Sequence, residues 1–165
     1  MPEQTAISAN DDRDWRMFVL KGYGIEVDEN MAACPVLAGL IRQAPEVTSA
    51  AVSFLAPYKH IPPHYGPFKG ILRFHLMLST PMGSDGKPAA VLKVDDAEYL
   101  LADGDCLLWD DTRKHEVWNQ SGHVRIALLL DVWRPGMPRD MQILSRLIVI
   151  FVGAAMRYRG VSYGG

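Results

Sequence analysis

The sequence predicts an all-β domain with flanking helices, folded as a β-sandwich or barrel. Seven short apolar or alternating segments follow one another between residues 49 and 133, separated by Gly, Pro and Asp clusters. Strands this closely spaced favour a sandwich or barrel over a parallel sheet, in which strands alternate with helices. The segments are SAAVSFLA, GILRFHLMLS, PAAVLKVD, AEYLL, DCLLW, HEVWNQ and HVRIALLLDVW.

Length and composition indicate one ordinary globular unit. The chain has 165 residues, 48% of them hydrophobic and 22% charged, which excludes the disordered and collagen-like classes. A domain of this size needs no structural metal for stability, so a metal ion would serve chemistry. The net charge of −2 argues against a nucleic-acid partner. We expect a single domain over residues 1–165, with flexible tails at 1–12 and 160–165.

The N-terminus and the cysteines point to a cytoplasmic protein. Residues 1–15 lack the basic end and apolar stretch of a signal peptide. Cys34 and Cys106 are isolated, and we expect both to be reduced core residues. The longest apolar run, residues 147–155, is far shorter than the roughly 20 residues that span a bilayer, so no transmembrane segment is predicted.

Two helices are expected to flank the strands. The segment PVLAGLIRQAPE begins with Pro35 in position for a first helical turn and reaches a stop at Pro45. Near the C-terminus, apolar residues recur at helical spacing at Leu144, Leu147, Ile148, Phe151 and Ala155. This stripe predicts a helix that packs on the barrel or forms a homodimer. A membrane-surface helix is the alternative, with positive charge from three arginines, Arg146, Arg157 and Arg159.

Two of the predicted strands carry polar residues on one face. Because side chains alternate along a strand, Arg73 and His75 share a face within residues 71–78. Within residues 124–131, Arg125 shares a face with the small residue Ala127, which leaves room for a ligand. The alternative interpretation is that both arginines point to water, since arginine is rarely buried unpaired.

Two histidines stand out as candidate metal ligands. His64 lies in the turn-rich segment IPPHYGPFKG, and His115 opens HEVWN. In GDCLLWDDTRKHEVWN, the spacing of Gly104, His115 and Asn119 matches the second cupin motif. The HExxH helix of metalloproteases is excluded, because Asn119 stands where its second histidine must be. The sequence also lacks a nucleophile elbow and a glycine-rich phosphate loop.

Four strings together resemble the aspartyl/asparaginyl β-hydroxylase family. They are PHYGP at 63–67, LRFHLML at 72–78, WDDTRKHEVWN at 109–119 and RIALLLDVWRP at 125–135, within a match over roughly residues 31 to 138. The resemblance implies a double-stranded β-helix, a cupin-like jelly roll, that binds Fe(II) and 2-oxoglutarate and uses dioxygen. It also implies that His64 and His115 are the two iron ligands.

The resemblance assigns the co-substrate to one set of side chains. It implies that Arg125, helped by Ser53, holds the distal carboxylate of 2-oxoglutarate, a task that suits a planar guanidinium. Arg73 and His75 would hold the carboxylate next to the oxo group. Most relatives in the wider oxygenase class place a metal-binding carboxylate two residues after the first histidine. Here that position is Gly66, as in the β-hydroxylase family. Arg134 departs from the histidine of that family's DVWHP string.

The expected function is therefore that of a dioxygenase that produces succinate and CO2 while hydroxylating a C–H bond. We expect an Asp/Asn-like or other small biosynthetic substrate, either a small molecule or a peptide. Two alternatives stay open at this point. A non-hydroxylating oxidant such as a halogenase would use the position that the missing carboxylate opens. A cupin-fold binding protein would hold a small acid without turnover.

Overall fold

Two antiparallel sheets face each other in the computed structural model, which describes residues 7–158. The larger sheet has six strands in the order β2-β1-β3-β10-β5-β8, and the smaller has four in the order β4-β9-β6-β7. Apolar side chains of both sheets form one core cluster between them, including Leu55, Leu92 and Val117. The strands are β1 Trp15–Gly22, β2 Ile25–Glu26, β3 Val47–Leu55, β4 His60–His64, β5 Ile71–Ser79, β6 Ala90–Val94, β7 Ala97–Leu100, β8 Cys106–Trp109, β9 His115–Asn119 and β10 Arg125–Trp133.

This arrangement is the predicted jelly roll, and each of the seven predicted segments overlaps a strand. The sequence analysis missed β1, β2 and β4. The sequence of β4, HIPPH, contains two prolines, which cannot donate to a strand ladder and are confined mainly to sheet edges. The strand lies at such an edge, since its partner within the smaller sheet is β9 alone.

Helices cover the outer face of the larger sheet. Helix α1, Asp28–Ala33, was not predicted, whereas α2, Pro35–Gln43, confirms the predicted helix and ends before Pro45. Met31 of α1 and Ile41 of α2 form a second core cluster with Leu20 of β1. Cys34 packs partly against this cluster. The prediction for Cys106 was wrong, because it lies exposed at the start of the edge strand β8.

The polar face of the two predicted strands is the inner face of the larger sheet. Arg73 pairs in register with Asp131, and Arg125 pairs with Leu55, which lies in the core between the sheets. Paired residues on neighbouring strands point to the same side of a sheet. The alternative that both arginines point to water is therefore excluded, since Arg125 is 4% exposed and the Arg73 side chain 23%.

The C-terminal helix, α3, runs over Arg139–Tyr158 and packs on the domain differently from the prediction. Its buried residues are Ser145, Val149 and Gly153, whereas the predicted apolar stripe faces outward, with Phe151 75% exposed. The 20-residue helix, with a mean hydropathy of 1.4, is long and apolar enough to cross a membrane by length and composition alone. The shorter apolar run 147–155 had argued against a membrane-spanning segment.

Part of the predicted N-terminal tail is fixed to the domain. The buried ammonium group of Lys59 donates to the carbonyl of Ser8, to Asn10 Oδ1 and to Asp11 Oδ1, at 2.6 to 3.1 Å. A buried ammonium needs such acceptors, because desolvation without them is costly. Residues 8–11 of the predicted tail thus contact the domain, while residues 1–6 and the predicted tail at 160–165 lie outside the described residues.

Candidate active site

The two predicted metal ligands face each other across neighbouring strands of the smaller sheet. His64 ends β4, His115 begins β9, and the two residues are register partners in the antiparallel ladder. Their ring centroids lie 4.0 Å apart, with the ring planes tilted by 57°. Residues that are distant in sequence are thus brought into a pair able to share one ligand.

The hydrogen bonds of both rings fix their tautomer. Nδ1 of His64 lies 2.8 Å from the carbonyl oxygen of Pro62, and Nδ1 of His115 lies 2.9 Å from that of Arg113. A carbonyl oxygen can only accept, so each Nδ1 carries the proton and each Nε2 presents a lone pair. Metal-binding histidines are commonly oriented in this way. The pair therefore fits a transition-metal ion bound through both Nε2 atoms.

Burial keeps the histidines of the site neutral. It lowers the pKa of His115 to about 4, with a further contribution from His64, and it lowers the pKa of His64 as well. Neutral imidazole is the form that binds metal. Burial also brings the pKa of His75 well below its usual range, and the charges of Arg125 and Arg73 act in the same direction.

These shifts predict a pH-dependent stability of the metal-free protein. In the unfolded chain the pKa of a histidine is about 6.5. Below that pH the unfolded chain therefore binds more protons than the folded chain. The free energy of unfolding should therefore fall as the pH is lowered through this range, toward the value of about 4 for His115. Thermal midpoints measured between about pH 7 and about pH 5 check this. His123→Ala, which alters an exposed histidine, should show the same dependence, and a flat profile would contradict the prediction.

Gly66 leaves room for the carboxylate of Asp111. A Cβ atom at Gly66 would lie only 2.2 Å from Cγ of Asp111. The amide of Gly66 also donates to the carbonyl oxygen of Asp111 at 2.6 Å. The Asp111 side chain is fully buried, and neither of its carboxylate oxygens has a hydrogen bond within the described residues. Burial raises its pKa, which the charge of Arg73 opposes. A carboxylate thus occupies the space that a side chain at position 66 would take.

Substitution of Gly66 is expected to destabilise the protein by steric conflict. Gly66 does not have a positive φ angle, so backbone strain is not the reason for a glycine there. Gly66→Ala should cost about 1–3 kcal/mol of unfolding free energy, because the added methyl group meets the Asp111 carboxylate. Urea unfolding measures this cost. Asp111→Gly in the same chain should recover most of it, and equal losses in the single and double variants would contradict this explanation.

Arg73 is already paired with two carboxylates. Its Nε and Nη2 atoms donate to Asp131 at 2.8 and 3.2 Å, and Nη2 also lies 3.2 Å from Asp111 Oδ2. These charges raise the pKa of the guanidinium against the effect of burial. Arg73 therefore positions Asp111 beside Gly66. Its predicted contact with a 2-oxoglutarate carboxylate stays a prediction.

Arg125 is a buried cation without a counter-ion among residues 7–158. It is 4% exposed, it forms no ion pair with a described residue, and its Nε atom has no hydrogen-bond partner there. Burial lowers its pKa to about 10, so it remains charged at neutral pH. Ser53, at 1% exposed, lies on the same inner face and accepts a hydrogen bond from the Trp15 indole at 3.0 Å. A buried, unpaired guanidinium is costly and suits an anionic ligand.

Trp109 lies between His115 of the pair and His75. Its ring meets that of His115 edge to face at 4.7 Å and that of His75 at 5.5 Å. Trp109 Nε1 and His75 Nδ1 have no hydrogen-bond partner among the described residues. Sequence reasoning missed Trp109, because a tryptophan at the end of an apolar strand resembles an ordinary core residue. It also assigned no role to Asp111 and Asp131.

Arg134 lies at the edge of the site. Its guanidinium donates to the carbonyl oxygen of Lys69 at 2.6 Å and pairs with Asp110 at 2.6 Å. It therefore ties the loop after Gly66 to the loop that contains Asp111. The arginine that replaces the family's histidine at position 134 therefore forms an ion pair with Asp110.

A cavity of about 330 Å³ opens beside the pair. His64, Gly66, Arg73 and Asp131 form one part of its wall. Trp15, Met17, Val19 and Leu129 provide an apolar part, and Lys21 and Tyr23 lie farther along β1. Ser53, His75, His115 and Arg125 are buried and do not line this cavity. Within residues 7–158, no group of three or more His, Cys, Asp or Glu side chains is arranged to hold a metal ion.

Comparison with known proteins finds two hydroxylases among the similar sequences. The ornithine lipid ester-linked acyl 2-hydroxylase of Rhizobium tropici is 35% identical over 75% of this chain and 43% of its own length. The human aspartyl/asparaginyl beta-hydroxylase is 29% identical over 74% of this chain and 16% of its own length. The chain thus spans less than half the length of these relatives.

Solved structures with a similar fold have lower sequence identity to this chain. A predicted oxalate decarboxylase of Thermotoga maritima superposes with a TM-score of 0.44 at 14% identity, covering 58% of this chain and 73% of its own. A cupin domain of an XRE-family transcriptional regulator of Enterobacter cloacae gives 0.43 at 15% identity, covering 52% and 81%.

The match that decides the family covers most of the described chain. The family model described as Aspartyl/Asparaginyl beta-hydroxylase matches residues 1–135, which include β1 to β10 and thus every residue of the candidate site. The chain therefore belongs to the aspartyl/asparaginyl β-hydroxylase family.

Proposed function

We propose that the protein is an Fe(II)- and 2-oxoglutarate-dependent dioxygenase that hydroxylates a C–H bond. The observation that carries this proposal is the buried, unpaired Arg125 on the sheet that faces the His64 and His115 pair. A protein that only bound a metal would not need a desolvated guanidinium on the inner face of the opposite sheet. Membership of a hydroxylase family supports the reaction type.

The residues of the chain have separate roles in this reaction. The Nε2 atoms of His64 and His115 would hold the metal, and Arg125 with Ser53 would fix the far carboxylate of the co-substrate. When bound, Fe(II) and 2-oxoglutarate supply the activation of dioxygen: one oxygen atom enters succinate, the other enters the substrate, and CO2 leaves. Asp111, held by Arg73, fills the space beside Gly66, two residues after His64. Trp109 packs edge to face on His115 and would hold that ring in place.

The substrate proposed here is an acyl chain. The cavity beside His64 is walled on one side by Trp15, Met17, Val19 and Leu129, which suit a hydrocarbon. One relative is named for 2-hydroxylation of a lipid acyl group. The Asp/Asn-like substrate expected from the sequence is the competing candidate, and Lys21 in the same wall favours it through its positive charge.

A comparison of products distinguishes the candidates. The protein is incubated with Fe(II), 2-oxoglutarate and either an ornithine lipid with a saturated acyl chain or an aspartate-containing peptide. We expect one added oxygen atom on the lipid by mass spectrometry. Oxygen on the peptide alone would overturn the acyl proposal but keep the dioxygenase. A chlorinated product in chloride buffer would identify a halogenase, and 2-oxoglutarate binding without succinate would identify a binding protein.

A further inference from the structure

Helix α3 presents a broad apolar face that nothing in the described chain covers. At 3.6 residues per turn, positions 143, 147, 150, 151 and 158 fall on one side of the helix. Soluble monomers rarely expose contiguous apolar patches of this kind without a function. The exposed fractions are 62% for Ile143, 49% for Leu144, 58% for Leu147, 65% for Ile150, 75% for Phe151 and 94% for Tyr158.

Positive charge lies along one edge of this face. Arg139, Arg146 and Arg157 are spaced by seven and eleven residues, which returns each of them to nearly the same side of a helix. All three are exposed, and Arg146 stacks over the ring of Trp133 at 5.9 Å. With Asp140 as its single acid, α3 has three positive charges and one negative charge, a net +2, whereas the whole chain has −2.

The helix lies flat along the barrel. A Cβ atom at Gly153 would lie 2.8 Å from the carbonyl oxygen of Tyr23, and one at Gly70 would lie 2.5 Å from Ser145 Oγ. These contacts, at Ser145 and Gly153, lie more than two helical turns apart, so α3 packs along its length against the domain. A bilayer-spanning helix with the barrel alongside would bring the barrel into the hydrocarbon, and Arg146 would be costly there. The packed helix can therefore lie on a membrane but not cross it.

The same edge leads toward the candidate active site. A groove of about 740 Å³ separates α3 from the turn between β1 and β2, and Arg146, Ile150 and Arg157 are among its lining residues. Tyr23 lines both this groove and the cavity beside His64. A surface that covers α3 would therefore meet the mouth of the site.

We propose that α3 docks the protein on the surface of an anionic lipid bilayer, with its apolar face among the acyl chains and its arginines at the phosphate level. The charges available to the arginines favour a bilayer over a second copy of the chain as the partner of this face. A second α3 would bring only the carboxylate of Asp140 to each row of three arginines, whereas a bilayer offers a phosphate to each. The proposal rests on this surface and goes beyond the proposed hydroxylation, which it does not require.

Vesicle sedimentation of the 165-residue chain tests the docking. The probes are vesicles of equal parts phosphatidylglycerol and phosphatidylcholine, and vesicles of phosphatidylcholine alone. We expect the protein to sediment with the anionic vesicles and to be released by salt. Leu147→Glu should weaken this binding at least about tenfold, because the change puts a charge where the proposal places a leucine among the acyl chains. Leu108→Glu, which alters a leucine of similar exposure on β8, should bind as the unaltered protein does.

Variants of the arginines test the electrostatic part of the docking independently. Arg139→Gln and Arg157→Gln should each weaken binding to anionic vesicles roughly fivefold, with little effect on phosphatidylcholine vesicles. Absence of binding by the unaltered protein, or equal binding by Leu147→Glu, would overturn the proposal. So would a dimer in sedimentation velocity that Leu147→Glu converts to a monomer, since a second copy would then cover the face. Because binding is measured without iron or co-substrate, its failure is independent of the proposed reaction.

Discussion

His115→Ala is expected to remove metal binding and turnover together. The side chain supplies one of only two imidazoles in the proposed centre, and its Nε2 lone pair is presented by the hydrogen bond from Nδ1 to the Arg113 carbonyl. Losing even a residue that orients a metal ligand commonly costs about 10–100-fold in affinity, so loss of the ligand itself should cost at least about 100-fold. Isothermal titration with Fe(II) under anaerobic conditions measures the change, and His64→Ala should behave alike.

A matched control separates this effect from the general loss of a histidine. His123 is exposed, and its backbone carbonyl rather than its ring accepts hydrogen bonds from Asn119 and Ser121. His123→Ala should bind Fe(II) as the unaltered protein does. If a folded His115→Ala protein retained its iron affinity and succinate production, the assignment of the centre would be wrong.

Arg125→Met is expected to weaken 2-oxoglutarate binding while sparing or raising the stability of the ligand-free protein. The guanidinium is buried without a carboxylate partner among residues 7–158, so an apolar side chain of similar length removes a desolvation cost. Loss of a buried charge-assisted pair with the ligand should lower its affinity by at least about 30-fold, the equivalent of roughly 2 kcal/mol. A structural ion-pair residue would show the opposite effect on stability.

Arg125→Lys tests whether geometry matters beyond charge. Lysine keeps the positive charge but cannot form two parallel hydrogen bonds to a carboxylate, so affinity should still fall about tenfold or more. Arg113→Lys, at an exposed arginine paired with Asp95, is the control and should leave the titration unchanged. Equal 2-oxoglutarate affinities in Arg125→Lys, Arg125→Met and the unaltered protein would show that Arg125 does not bind the co-substrate.

The strands and the inner face were predictable because they depend on local pattern. Alternation in β5 placed Arg73 and His75 on one face, and the structure turns that face toward the smaller sheet. The role of Asp111 was not predictable. It depends on the approach of the loops around Gly66 and Asp111 in space, and spacing along the chain does not encode that distance.

The orientation of α3 was also beyond the sequence pattern. Apolar residues at helical spacing predict a buried stripe, because burial is their usual outcome. Here the packed face is set by small residues, Ser145 and Gly153, which allow close approach to the barrel. Hydrophobicity alone ranks such residues below Leu147 and Phe151, so the pattern selected the wrong side of the helix.

The most direct test of the central claim is succinate formation from 2-oxoglutarate in the purified protein, with and without Fe(II), under air. The account predicts succinate that requires both Fe(II) and dioxygen, rises when the substrate is added, and is lost in a folded His64→Ala protein while His123→Ala retains it. Binding of 2-oxoglutarate with no Fe(II)-dependent succinate under any of these conditions would contradict it.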